Sequence, residues 1–125
     1  MIPFYLVNKI IVHHGTIIDA LTVGERKTGG DGGGRSEIAL SVNENITGIE
    51  FGHPNNTHWP TGTLCALKIY SNVKEYGPYS SRPDCEEIST TNIPDNMTFS
   101  QFFQKYAKKI TGGKFKGYVL TFDFE

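Results

Sequence analysis

Short runs of alternating apolar and polar residues, bounded by Gly, Pro and Asn, recur along most of the chain. Alternation with a period of two is typical of half-buried β-strands, and Val, Ile, Thr and aromatic residues dominate these runs. The runs follow one another without a long amphipathic helix between them, which favours antiparallel strands over βαβ units. The pattern therefore predicts an all-β domain. The predicted strands are residues 9–13, 17–23, 37–42, 46–51, 64–70 and 118–124.

One segment, residues 98–109, departs from this pattern. Thr98 and Gln101 have the spacing of a capping box, and the aromatic residues that follow recur at helical intervals. A short helix and a strand are therefore both compatible with this segment. The lysines in and after it form a candidate basic face, which consists of Lys105, Lys108, Lys109, Lys114 and Lys116.

Three stretches of the chain resemble one another. The sequence GTIIDALTV, which starts at Gly15, recurs as GTLCALKI from Gly62, one residue shorter, and more faintly as GKFKGYVLTF from Gly113. Each copy is a glycine turn that leads into a strand, and each follows an isoleucine-containing strand. Such a repeat predicts three similar β units packed on one core, with pseudo-threefold symmetry.

Length and charge exclude several classes of protein. A chain of 125 residues, of which 38% are apolar, is long enough for one core, so residues 1–125 are expected to form a single domain. The net charge of -1 gives no general attraction to nucleic acid or to anionic membranes. No apolar run approaches the roughly 18 residues of a membrane span, and residues 1–7 lack the features of a signal peptide.

Cysteines and sequons leave the localisation open. Cys65 and Cys85 allow either one intrachain disulfide or two thiols, and their spacing is not that of a zinc knuckle or a redox pair. Three glycosylation sequons, at Asn45, Asn55 and Asn96, favour a secreted protein only slightly. We expect neither a metal nor a cofactor.

The candidate chemistry lies in the glycines and one aspartate. Five of the 14 glycines fall within residues 29–34, and Gly15 precedes Asp19 by four positions. Because Asp19 stands among apolar residues, its carboxylate needs hydrogen bonds from a loop or a ligand. A carboxylate beside backbone N–H groups suits a polyhydroxylated ligand. No catalytic triad, carboxylate pair or phosphate loop is evident, which indicates a binding protein and not an enzyme.

Several motifs in a fixed order resemble the jacalin-related lectins: GTIIDALTV, TGGDGGGRSEIALSVNENITGIEF, GTLCALKIYSN and KEYGPYS. The resemblance implies a β-prism, in which three four-stranded antiparallel sheets surround a pseudo-threefold axis, and a lectin that binds mannose- or glucose-type units. In this family the sugar lies between a GxxxD loop and a facing GG loop. The carbohydrate-binding residues that the resemblance implies are Gly15, Thr16, Ile17, Asp19, Gly29 and Gly30.

This loop pairing is similar to a second sugar site that some members of the family carry. The usual first site combines an N-terminal GG loop with a C-terminal GxxxD loop, but residues 1–6 contain no such loop and Gly117 replaces the aspartate. In the middle copy, Cys65 occupies the aspartate position. The resemblance therefore implies one sugar site per chain and a first strand element that is atypical or missing. A homodimer would cover the resulting open edge.

An alternative function uses the basic face. Some animal relatives of the jacalin-like group are similar in using basic surface residues, which implies a module for sulfated polysaccharides or for another protein. Binding through several lysines weakens steeply with salt, whereas binding of a neutral sugar barely responds. Ionic strength therefore distinguishes the two functions.

Overall fold

The computed structural model describes residues 9–30, 32–54, 58–59, 62–80, 85–109 and 120–122. These ranges contain ten strands and one short helix. The elements, in chain order, are β1 (Lys9–His14), β2 (Ile18–Val23), β3 (Arg26–Gly29), β4 (Gly34–Ala39), β5 (Ile46–Pro54), β6 (Ala66–Ser71), β7 (Glu75–Tyr79), β8 (Cys85–Asn92), α1 (Phe99–Tyr106), β9 (Ala107–Lys109) and β10 (Leu120–Phe122).

Two four-stranded antiparallel sheets have the same internal order. The first sheet is β3-β2-β1-β4 and the second is β7-β6-β5-β8, so each strand of the first sheet has an equivalent in the second. Strands β9 and β10 form a further antiparallel pair. This architecture is a β-prism, and it confirms the predicted all-β fold. Residues 1–8, on which the prediction of an atypical or missing first strand rests, lie outside the described residues.

The core contains the central strands and one face of the helix. Ile10 and Val12 of β1 have no exposed surface, and Ile49 and Phe51 of β5 hold the equivalent inner positions of the second sheet. Each apolar side chain of this size that leaves water contributes about 1.5 to 3 kcal/mol to folding. The inner faces of the two sheets therefore pack into one cluster of buried side chains.

Helix α1 closes the core from one side. Thr98 accepts a hydrogen bond from the backbone of Gln101, and the Gln101 side chain accepts one from the Thr98 backbone, so the predicted capping box is present. The helix buries Phe99, Phe102 and Phe103 and ends where Ala107 begins β9. Residues 98–109 are thus first helix and then strand. None of the helices among the described residues has the length and apolar character needed to traverse a bilayer.

The strands that the sequence pattern missed are all at sheet edges. Strands β3, β7 and β8 lie outside the predicted strands, and β4 begins at Gly34, three residues before the predicted start. Edge strands bury few side chains, as the mostly exposed residues of β3 and β7 show. They are held by backbone pairing with a central strand, which leaves no alternation to detect.

Candidate functional site

Asp19 lies at the start of β2, between two side chains that belong to the interior. Ile18 and Ala20 are fully buried, whereas Asp19 is half-buried, as the alternation of a strand requires. Burial raises the pKa of the Asp19 carboxyl above its ordinary value of 3.8. Within the part of the chain that the structure describes, no hydrogen bond to this carboxylate offsets that effect. The carboxylate is therefore partly desolvated, with no compensating donor among the described residues.

Two glycines that the sequence-based assignment left out lie beside this carboxylate. A Cβ atom added at Gly33 would be 2.5 Å from Asp19 Oδ2, and one added at Gly32 would be 3.2 Å from Oδ1. Gly33 also has a φ of +79°, a conformation that favours glycine. Any larger side chain here would occupy the space next to the carboxylate. Gly32 and Gly33 thus form the loop that faces the Asp19 side chain.

The predicted pair, Gly29 and Gly30, instead contacts the backbone of Asp19. Gly29 is the last residue of β3, pairs with Ala20, and has a φ of +118°. The Gly30 N–H donates a 2.8 Å hydrogen bond to the Asp19 carbonyl. That donor is already used within the protein, so these two glycines hold β2 and start the loop. Gly32 and Gly33 belong to the same glycine run as Gly29 and Gly30. The sequence does not reveal where β3 ends, so it does not show which glycines of the run face the Asp19 side chain.

The Gly15 turn is attached to the second sheet. The Gly15 N–H donates to the Ile17 carbonyl at 2.9 Å, and the Ile18 N–H donates to the Leu64 carbonyl at 2.8 Å. Thr16 is exposed, whereas the Ile17 side chain is only 2% exposed. Ile17 therefore anchors the turn, and the turn presents Gly15 and Thr16 to solvent beside Asp19.

Ser80 fixes the same turn from the end of β7. Its hydroxyl lies 2.8 Å from the Gly15 carbonyl and 3.1 Å from the Ile17 carbonyl, both within hydrogen-bonding range. Ser80 has a φ of +57°, the left-handed region that a residue with a Cβ rarely adopts. Sequence reasoning missed this contact, because the partners are 65 and 63 positions apart.

An aromatic and polar wall lies next to the turn. His14 Nε2 is 2.7 Å from Ser36 Oγ, and the His14 ring packs at 5.1 Å, centroid to centroid, against Tyr79 of the second sheet. Tyr79 is half-buried, and burial raises the pKa of its hydroxyl. Because Gly33 packs against the His14 carbonyl, this wall supports the loop that faces Asp19.

The basic face is only partly described. Lys105 on α1 and Lys108 on β9 are exposed, and Lys109 is the last residue of β9. Lys114 and Lys116 lie outside the described residues. Lys105 Nζ is 5.2 Å from the ring centroid of its neighbour Tyr106, a cation–π contact.

The histidines are engaged in hydrogen bonds or ring contacts. His13 Nε2 lies 3.2 Å from Thr22 Oγ1, and His53 Nδ1 lies 2.8 Å from the Thr63 carbonyl. The His58 ring packs edge-on against Trp59. Among the residues with described positions, no three His, Cys, Asp or Glu side chains come together as a metal site would require.

The β-prism is the fold of a known family of domains. The model of the jacalin-like lectin domain matches residues 3–112, which is most of the chain. The chain therefore belongs to the jacalin-like lectin domain family. Lectins are carbohydrate-binding proteins without catalytic activity.

Solved structures share this fold at low sequence identity. Wild-type Malaysian banana lectin has a TM-score of 0.59 and 20% identity over 98% of this chain and 85% of its own. Calsepa lectin, in complex with a bisected glycan, has the same score and identity over 100% of this chain and 86% of its own. A third, AcmJRL from Ananas comosus, is a mannose-binding jacalin-related lectin with a TM-score of 0.56 and 20% identity.

The extent of the match differs between these structures. The AcmJRL match covers 70% of this chain and 65% of that chain, so the present chain spans just under two thirds of that lectin. No curated protein sequence matches the chain. At these identities the likeness establishes the fold alone.

Proposed function

We propose that this domain binds mannose- or glucose-type units at Asp19, between the Gly15 turn and the Gly32–Gly33 loop. The observation that carries the proposal is the half-buried Asp19 carboxylate, which receives no hydrogen bond from the described residues and has glycines on two sides. A partly desolvated carboxylate without donors is unfavourable by itself, and a donor from a ligand offsets that cost.

The chemistry of a sugar matches this arrangement. Two neighbouring hydroxyl groups of a pyranose can each donate to one carboxylate oxygen, and hydrogen bonds to a charged acceptor contribute about 1.5 to 3 kcal/mol each. Glycines let the ring approach the backbone closely. The net charge of -1 suits a neutral ligand better than a phosphorylated or sulfated one.

In this proposal each predicted site residue has a defined part. Asp19 accepts hydrogen bonds from the sugar, and the exposed Gly15 and Thr16 border the ring on the opposite side. Ile17 anchors their turn through its buried side chain. Gly29 and Gly30 hold β2 in place, while Gly32 and Gly33 face the carboxylate. The mannose-binding AcmJRL, a lectin from Morus nigra in complex with mannose and Calsepa lectin in complex with a bisected glycan share this fold, which supports the ligand class.

The test compares binding of mannosides and glucosides by the native protein and by Asp19→Asn, on a glycan array and then by calorimetry. We expect Asp19→Asn to lose at least tenfold in affinity, because an amide presents one acceptor oxygen and no charge. Asp95→Asn is the matched control, since Asp95 is exposed in a turn far along the chain. Equal binding by native protein and Asp19→Asn would exclude the site.

The same experiment separates this function from binding through the basic face. A double variant, Lys105→Ala and Lys108→Ala, should retain its affinity for neutral sugars, and the affinity should change little between low and high salt. A steep loss with salt, shared by the native protein and Asp19→Asn, would instead favour the lysine-rich face.

The proposal includes a homodimer. Two copies would pair exposed sheet edges and so satisfy backbone groups that otherwise face water. Light scattering coupled to size exclusion measures the mass in solution, and a monomer at all concentrations would exclude this part of the proposal.

A further inference from the structure

Two sequons for N-linked glycosylation are exposed on the described surface. Asn45-Ile46-Thr47 lies where the loop after β4 enters β5, and Asn96-Met97-Thr98 lies in the turn before α1. Both asparagines are exposed. The hydrogen bonds of Asn45 are made by its backbone, which exchanges N–H and carbonyl bonds with Asn72. The side-chain amide of Asn45, which would carry a glycan, therefore takes part in neither of these hydrogen bonds.

Both sequons lie at the same end of the sheets. Strand β5 starts beside Asn45, and the antiparallel β8 ends there, with Gly48 opposite Asn92. The chain leaves β8 past Thr47, whose carbonyl accepts a 2.9 Å hydrogen bond from the Ile93 N–H. Asn96 follows within the next turn. The loops that contain Asn45 and Asn96 are thus neighbours.

The Asp19 site lies at the opposite end. Its Gly15 turn is bonded to Leu64 and Ser80, which adjoin the start of β6 and the end of β7. Gly52, near the end of β5, pairs with the first residue of β6. Strand β5 has 9 residues, and at about 3.3 Å per residue it separates the two ends by roughly 25 Å.

Two further observations agree with a glycan at this end. Val42 and Val73 are 93% and 62% exposed and lie in the two loops that Asn45 and Asn72 join, so an oligosaccharide on Asn45 would cover apolar surface. Cys65 and Cys85 form a disulfide with Cα atoms 5.6 Å apart, and it contains both cysteines of the chain. Disulfides persist in oxidising compartments, which include the one where sequons are modified.

We propose that Asn45 and Asn96 carry N-linked oligosaccharides, which project from the end of the prism opposite Asp19. In this transfer the donor is a polyprenyl-diphosphate-linked oligosaccharide. The asparagine Nδ2 forms a bond to the anomeric carbon, and the bond from that carbon to the phosphate oxygen breaks. The polyprenyl diphosphate leaves with the electron pair, and the transferase takes the displaced amide proton. No oxidant or reductant takes part.

The test is the intact mass of the full chain, secreted from eukaryotic cells behind a cleavable leader, before and after treatment with peptide N-glycosidase. An Asn55→Gln background removes the third sequon. In that background we expect two glycans, and the loss of one each in Asn45→Gln and Asn96→Gln. Thr47→Val should remove the same glycan as Asn45→Gln. Fewer than two glycans in the Asn55→Gln background, or an unchanged number of glycans in these variants, would overturn the proposal.

Two asparagines outside sequons provide matched controls. Asn43→Gln, in the loop after β4, and Asn92→Gln, at the end of β8, change exposed asparagines near the two sequons and should leave both glycans in place. Hydrogen exchange of the native and doubly substituted proteins then locates the glycans. Protection is expected around residues 41–47 and 93–98, and protection of residues 15–17 or 32–34 would contradict the placement. Neither readout requires sugar binding, so failure of the proposed function would not affect them.

Discussion

The two four-stranded sheets use the same position in opposite ways. In the first sheet, the turn at Gly15 leads to Asp19, which precedes Ala20 and faces glycines. In the second, the turn at Gly62 leads to Cys65, which precedes Ala66 and is bonded to Cys85. One copy of the repeat thus presents a carboxylate to solvent, and the other is covalently closed.

The strand registers show how close this equivalence is. Gly34 begins β4 opposite His14, the last residue of β1, and Cys85 begins β8 opposite Pro54, the last residue of β5. Cys85 therefore stands where the first sheet has the end of its glycine loop. Cys65 is fully buried, whereas Asp19 is half-buried. A pseudo-symmetric fold can therefore hold a half-buried carboxylate at a position of one sheet and a disulfide at the equivalent position of another.

The largest effect that this comparison predicts is on stability. Replacing both cysteines, Cys65→Ala and Cys85→Ala, removes a cross-link between residues 20 positions apart. Loop-closure entropy gives a loss of about 3 kcal/mol in the free energy of unfolding. Urea denaturation measures this loss, and sugar affinity should stay unchanged. A reductant should destabilise the native protein and not the variant. A parallel loss of affinity would show that the disulfide of the second sheet and the Asp19 site of the first are not independent.

The next effect is on binding. Gly33→Ala places a Cβ 2.5 Å from Asp19 Oδ2 and 2.8 Å from the His14 carbonyl, in a conformation with φ of +79°. The strain alone costs roughly 1 to 2 kcal/mol, and the contact displaces the carboxylate. We expect an affinity loss of about tenfold or more by calorimetry. Gly24→Ala is the control, because Gly24 has a φ of +65° with nothing within 4 Å. It should lose stability and keep affinity.

A smaller effect tests whether the second sheet supports the site of the first. Ser80→Ala removes the hydroxyl that bonds the Gly15 and Ile17 carbonyls. At about 1 kcal/mol for such a bond, affinity should fall about fivefold. Ser80→Gly also relieves the left-handed φ of +57°, so it should recover stability without recovering affinity. Equal affinity in all three proteins would assign Ser80 a purely local role.

Sequence reasoning succeeded where side chains carry a periodic signal. Strands β1, β2, β5 and β6 are central and alternate or bury their apolar residues, so they were predicted within a few positions. The capping box at Thr98 was also visible, because its two partners are three residues apart. Asp19 was identified because a carboxylate between buried neighbours is conspicuous.

The remainder depends on contacts that no local pattern encodes. Strand β3 is polar and held by backbone pairing, so neither its end at Gly29 nor the position of Gly32 and Gly33 beside Asp19 can be read from the sequence. The disulfide remained open, because a separation of 20 residues does not determine the distance between two Cα atoms. Ser80 meets the Gly15 turn only when two sheets pack. The missed elements are those that depend on sheet edges and on packing between sheets.

Two carboxylates at opposite ends of the molecule have pKa values shifted in opposite directions. Burial raises the pKa of Asp19. Hydrogen bonds from Ser71, Tyr76 and Ser41 lower the pKa of Glu44 to about 2, although its side chain is only 5% exposed. Burial and the bond to Glu44 also raise the pKa of Tyr76 to about 12. Glu44 thus joins the loop after β4 to the end of β6 and the start of β7.

These shifts predict that acid removes binding before it removes the fold. Because its pKa is raised, the Asp19 carboxyl takes up a proton at a pH above its ordinary pKa of 3.8. The protonated carboxyl accepts fewer hydrogen bonds, so the affinity for sugar declines first as the pH falls. The raised pKa means that the charged form opposes folding, so protonation of Asp19 adds slightly to stability. Glu44 has the reverse sign: its contribution to stability is complete above pH 4.5 and is lost as the pH falls towards about 2.

Calorimetric affinity and Tm, measured from pH 7 to pH 2, separate the effect of Asp19 from that of Glu44. Glu44→Gln should lower Tm at pH 7 and flatten its dependence on acid, while the affinity profile stays as in the native protein. Affinity and Tm that decline together in the native protein would contradict the assignment of Asp19 to binding and Glu44 to the fold.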